Sequence, residues 1–231
     1  RYGVPFDTPL FHWYTDRDRT HQLVGWLHET FGVTEKEARA AISQGDDAQR
    51  SFTERLQQRG QEVLDQVHDA GGYAVVMASR PYHNDPLVNH GLPKLFCSQG
   101  IPVLTPDAVP GVREVDLSRS RLDIVNNFHA RMLSSAVIAA GSPDLEYVQL
   151  VSFGCGHDAY LSDEIVRLMR EVSGKAPLIL KIDESDATGP LRIRVRSFIE
   201  TTERRRRDEA GRAAAASAPR ELPDPYEVKY T

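Results

Sequence analysis

Three short stretches gather residue types that chemistry needs: RPYHND at 80–85, GCGHD at 154–158 and DESDATG at 183–189. The first holds Arg80, Tyr82, His83, Asn84 and Asp85, and Asn89 and His90 follow it closely. Turns are built from Pro, Asn, Asp and Gly. They have no need of an arginine and two histidines, so RPYHND reads as one wall of a site, although His83 and His90 could equally be a hydrogen-bonded structural pair. In the second stretch Gly154 and Gly156 flank Cys155. A cysteine at a helix N-terminus lies in an exposed, electropositive niche that favours the thiolate, as nucleophile or metal ligand. The competing reading is a tight strand-to-helix turn with Asp158 in the first helical turn, where a negative charge suits the helix dipole, and with Cys155 as a small buried hydrophobe. The third stretch supplies Asp183, Glu184 and Asp186. It is either a solvated acidic loop or the carboxylate side of the same site. A carboxylate such as Asp183 meeting Arg80 would form a charge-assisted pair.

Each stretch follows a segment of strand type, and this is what would bring the three together. YAVVMAS (73–79), YVQLVSFG (147–154) and APLILKID (176–183) are short apolar runs rich in β-branched residues, and IPVLT (101–105) and AVIAAG (136–141) read the same way. Between them the pattern predicts helices over 86–100, 117–135, 157–174 and 190–215, the first of them imperfect because of Pro93. Near-continuous apolar strands alternating with helices predict a doubly wound α/β domain, a Rossmann-like parallel sheet with helices on both faces. In such sheets ligands bind outside the carboxyl ends of the strands, the edge that all three stretches would share. Cys97 falls within the helix predicted over 86–100 and is expected in the core.

Residues 1–72 have a different texture. An aromatic strap with two prolines (1–18) leads into helical patterns. Leu23, Trp26, Leu27 and Thr30 share one face of the first, and Gly32 is placed to stop it. Thr34 and Glu37 form a capping-box signature ahead of a longer helix with Phe52, Leu56, Val63, Leu64 and Val67 at helical spacing. The expected organisation is a helical lead-in (1–72) packed on the main domain, the α/β domain (73–203), and a charged helix end with a linker or tail (204–231).

Composition narrows the function classes. The 231 residues carry a net charge of -5, which does not fit a general nucleic-acid binder. No apolar run is long enough to span a bilayer and no signal peptide is visible. Two cysteines, Cys97 and Cys155, exclude a disulfide scaffold and point to a reducing cytoplasm. The chain begins at Arg1 without methionine, which suggests a piece of a longer protein. There is no G-x-S-x-G nucleophile elbow, no G-x-x-x-x-G-K-[ST] phosphate loop, and no G-x-G-x-x-G after the first strand.

The ordered motifs RPYHNDPLVNHGLPKLF, GIPVLTPDAVP, LVSFGCGHDAYLSDEIVRLM and GKAPLILKIDESDATGPLRIRVRSFIE resemble the acyl-CoA dehydratase activase-related family, in which a domain like the 2-hydroxyglutaryl-CoA dehydratase component is fused to activase-type ATPase domains. The resemblance covers roughly residues 73–200, and the helical lead-in fits the family's layout. It implies a part in ATP-driven, low-potential electron transfer to an iron–sulfur acyl-CoA dehydratase or reductase. The implied partners are activase-type ATPase domains or dehydratase subunits, and an acyl-CoA is an implied ligand. Cys155 matches a recurrent cysteine of the family, whereas His157 departs from it and Cys97 matches no motif cysteine. Cys155 would thus be one ligand of a [4Fe–4S] cluster completed outside this chain, with none expected in the isolated chain, which would not be catalytic by itself. Arg80, His83 and His90 would bind or orient a phosphate or thioester. Asp183, Glu184 and Asp186 would fix those basic groups or a loop, and Tyr82, Asn84, Asp85, Asn89, Gly154 and Gly156 would line the site. Two rival readings are a non-catalytic docking module and a mononuclear zinc site built from Cys155 with His83, His90 or His157.

Overall fold

The computed structural model describes residues 3, 6–124, 126–152, 155–182 and 188–217, with the side chains of 188 and 215–217 left aside. The chain divides into two compact units, Arg1–Glu62 with Asp107–Pro110, and Val63–Pro106 with Gly111–Thr231. The division falls inside a helix, ahead of the change in sequence texture at 72.

The first unit is helical. Helix α1 (Asp16–Phe31) starts at Thr15, whose hydroxyl accepts the Asp18 N–H, and stops at Gly32, which takes the left-handed conformation (φ 67°) and donates its N–H to the His28 carbonyl. Helix α2 (Glu35–Asp69) opens with the capping box the sequence announces. The Glu37 carboxylate accepts the Thr34 N–H at 2.8 Å, and the Thr34 hydroxyl accepts the Glu37 N–H at 3.3 Å. Both guanidinium nitrogens of Arg19 reach the Asp46 carboxylate at 2.7 Å, a bidentate tie between α1 and α2. Gly60 is required by contact, because a Cβ there would sit 1.8 Å from the Ala108 carbonyl oxygen.

The second unit is the parallel α/β domain that the strand and helix alternation predicts. Strands β1 (Ala74–Ala78), β2 (Val103–Leu104), β3 (Leu145–Ser152) and β4 (Leu178–Ile182) form a sheet of order β2-β1-β3-β4, with every pair parallel. β1 is wholly buried, as a strand covered on both faces must be. Val75 and Met77 of β1, with Val148, Leu150, Leu180 and Ile182, pack against Leu92 and Phe96 of α3 (Leu92–Cys97) and Val195 and Ile199 of α6 (Thr188–Ser217). The alternate residues point to the other face, where the Tyr147 hydroxyl donates to the Met132 carbonyl of α4 (Asn127–Gly141) at 2.7 Å. Helix α5 (Gly156–Ser173) carries the chain from β3 to β4.

Four local expectations give way. Residues 136–141 are the end of α4, not a strand: the run is alanine-rich, and alanine is the strongest helix former. A short apolar run does not declare its type by periodicity. The helix begins only at Asn127, because Asn126 caps it by accepting the Phe128 N–H at 2.8 Å, and 117–124 are not helical. The helix expected over 86–100 is confined to Leu92–Cys97, since His90 (φ 52°) and Gly91 (φ 70°) are left-handed. Cys97, at the end of that short helix, is exposed and not in the core.

Candidate functional site

The sheet order fixes where a ligand would bind. From β1 the chain steps outward to β2, while from β3 it steps the opposite way to β4, so the winding reverses between β1 and β3. Open α/β sheets bind ligands at the carboxyl ends of the strands at such a reversal. The two segments that leave these ends are RPYHND and the turn holding Cys155.

They meet there through Arg80. One terminal nitrogen of its guanidinium donates to Cys155 Sγ at 2.9 Å and to Asp158 Oδ1 at 2.9 Å. The other carboxylate oxygen of Asp158 accepts the Ser152 N–H at 3.0 Å. Asp158 is 6% exposed and Arg80 27% in their side chains, so the ion pair is half sheltered, where a charge-assisted bond outweighs a surface one. Cys155 is the N-cap of α5 and makes no side-chain cap, while Asp158 lies in the first turn. Asp158 is the early helical acid, and Cys155 is half-buried beside a cation.

Behind this contact lies a second, joined one. The Ser152 hydroxyl is 2.7 Å from the Tyr82 hydroxyl and 3.1 Å from His83 Nε2. His83 is buried at 2% exposure, and its Nδ1 has no hydrogen-bond partner among the described residues. Burial holds the His83 imidazole below its usual pKa; the Asp158 carboxylate opposes that shift and the Arg80 guanidinium adds to it. His129 of α4 is lowered in the same direction, by burial first and then by Arg80 and His157, and its ring stands edge-on to that of His157 at 6.0 Å.

The remaining expected residues sort into distinct places. Asn89 is buried and structural: its Nδ2 donates to the His83 carbonyl at 3.0 Å and its Oδ1 accepts the Gly91 N–H at 2.9 Å, which fixes the loop bearing His83. Asp85 accepts the Leu87 N–H at 2.8 Å in a local turn, and Asn84 is exposed. His90 lines a cavity of about 420 Å³ with Leu95 of α3 and Leu191 of α6, apart from the one at Cys155. Gly156 is the first residue of α5. Asp183, Glu184, Asp186 and Gly154 lie outside the described residues, and with them the expected Arg80–Asp183 pair. The carboxylate that Arg80 does hold is Asp158, which the sequence offered only as a partner for the helix dipole. A lone serine at the end of a strand gave no signal, and neither did His129 in a helix. The usable hint was the pairing of Ser152 with an acid in the first turn of the helix that follows.

On the other side of Cys155, between β3, α5 and β4, lies a cleft of about 510 Å³ lined by Val151, Ser152, Cys155, Ser162, Ile179 and Lys181 among others. Among the described residues no group of three or more His, Cys, Asp or Glu side chains is placed to hold a metal ion. The donor set of this chain thus does not by itself fit a four-thiolate cluster. Cys155 offers one ligand, with the Arg80 N–H already on its sulfur.

Residues 1–109 fit the family model described as CoA enzyme activase uncharacterised domain, so the activase-related resemblance is borne out. The matched span takes in the helical lead-in and RPYHND and ends before Cys155. No curated protein and no solved structure matches the chain.

Proposed function

We propose that this CoA enzyme activase-related chain is a module of an ATP-driven system that passes low-potential electrons to an iron–sulfur acyl-CoA dehydratase or reductase. In this reading the crevice between β1 and β3 is its working edge. The observation that carries it is the Arg80 guanidinium held between Cys155 and Asp158, at the point where the sheet reverses its winding. A thiol kept beside a cation and opening on a 510 Å³ cleft suits a ligand position or a docking point for a sulfur-bearing or anionic group. In this reading ATP hydrolysis belongs to activase-type ATPase domains, and the acceptor is a dehydratase subunit. An iron–sulfur cluster would supply the one-electron chemistry. Cys155 would contribute a thiolate, and Arg80 would then donate to that sulfur, a contact that tunes such centres.

The test is anaerobic purification of the full-length protein, followed by iron and acid-labile sulfide analysis and electron paramagnetic resonance after reduction. Cys155→Ser is expected to lower cluster occupancy and to alter the signal. Identical iron content and an unchanged signal in the variant would refute the assignment of Cys155. The isolated chain reconstituted with iron and sulfide is expected to lose its iron on desalting.

A further inference from the structure

We infer that Tyr82, Ser152 and His83 form a proton relay between solvent and the buried end of the crevice. The inference builds on the electron-transfer reading above, because a charge arriving beside Cys155 calls for a compensating proton. The geometry itself is independent of that reading. Tyr82 is half exposed (51%), His83 is buried (2%), and the Ser152 hydroxyl touches both, at 2.7 Å and 3.1 Å. Each group in the line both donates and accepts. With the neutral imidazole protonated on Nδ1, Ser152 donates to Nε2 and Tyr82 donates to Ser152. With the proton on Nε2, every donor in the line reverses. Both hydroxyls rotate without moving a heavy atom, so the same contacts carry a proton either way.

Inward transfer is balanced. Tyr82 passes its proton to Ser152 and takes one from hydronium at the solvent end, which leaves as water, and Ser152 passes its own to Nε2. The product is an imidazolium, with Tyr82 and Ser152 restored. The charges facing that ring come from two elements: Asp158 of α5 stabilises the imidazolium, and Arg80 at the end of β1 opposes it. One of them, Arg80, also donates to Cys155 Sγ at 2.9 Å, so the charge that opposes the imidazolium is the one that touches the sulfur. Burial disfavours the His83 imidazolium, so the proton it takes up is readily returned along the same line. Asn89 holds the His83 backbone, and the Tyr82 ring stands against the imidazole at 4.3 Å, so the ring is fixed while the hydroxyls turn.

The experiment is nuclear magnetic resonance on the chain with ¹⁵N-labelled histidine, reading exchange of the His83 ring proton with water against exchange of the core amides of Val76 and Leu150. In the wild type His83 is expected to exchange far faster than those amides. Ser152→Ala removes the middle oxygen and is expected to slow His83 exchange at least tenfold while the amides keep their rates. Tyr82→Phe is expected to slow it too, and Ser152→Thr to restore it. A ring proton that exchanges equally fast in Ser152→Ala, or that changes only in step with the core amides, overturns the relay. Because no cluster or partner enters the measurement, its failure leaves the electron-transfer reading standing, and the loss of that reading leaves the relay measurable.

Discussion

Asp158→Ala is the perturbation that probes the site most directly. The carboxylate is 6% exposed and is used on both oxygens, for the Arg80 guanidinium at 2.9 Å and for the Ser152 N–H at 3.0 Å. A hydrogen bond to a charged group contributes about 1.5–3 kcal/mol, and a buried N–H left unpaired costs about 1–3 kcal/mol. Their simple sum overstates the loss, because Arg80 keeps 27% exposure and water can take up part of its charge. A cost of about 3 kcal/mol is the figure that survives this discount. For a protein of this size about 1 kcal/mol moves the melting temperature by roughly 2–4 °C, so the variant should melt about 6–12 °C lower. Calorimetry gives the shift. Arg80→Met, and the double variant with Asp158→Ala, complete a cycle in which the pair should couple by about 1–3 kcal/mol. A shift under about 2 °C with no coupling would mean that the carboxylate is solvated and that Arg80 is not held by it.

The same reasoning extends to two further variants. His83 is held below the ordinary histidine value of 6.5, so on acidification the unfolded chain takes up its proton before the folded chain does. Stability is therefore complete above that value and falls as the pH drops below it. Melting curves over about pH 5–7.5 should show the slope, and His83→Gln should reduce it, with His129, lowered in the same direction, accounting for part of the remainder. Lys175→Met removes a buried ammonium that donates to the carbonyls of Ala139, Ser142 and Leu145 at 3.1, 2.6 and 2.8 Å and pairs with Glu146 at 3.4 Å. Glu146 keeps Arg205, so the loss falls on the carbonyls and should cost about 1–3 kcal/mol, read as a lower urea midpoint at unchanged slope.

What the sequence disclosed follows the range over which each signal acts. Thr34, Glu37, Gly32 and Gly174 act on the backbone within a turn of themselves, and each cap stands where its residue type demands. β1, α5 and β4 are legible for a related reason: apolar content and length separate them, and a glycine closes α5. Ala136–Gly141 fails because six apolar residues satisfy a strand and a helix equally, and only the start at Asn126 decides between them. Cys97 fails because the short helix turns it outward, a consequence of the left-handed His90 and Gly91 that no spacing rule contains. At the site, strand ends located Arg80 and Cys155, since a parallel sheet places all its carboxyl ends on one edge. The partners of Arg80 were less accessible. Asp158 satisfies the helix dipole wherever it points, so its second use, across to β1, is visible only when the strands are side by side. Ser152 shows the limit most clearly. A serine ending a strand is ordinary until a buried histidine and a half-exposed tyrosine from another strand's exit converge on its oxygen, and that convergence depends on register, which is a property of the pairing of β1 with β3 and of neither segment alone.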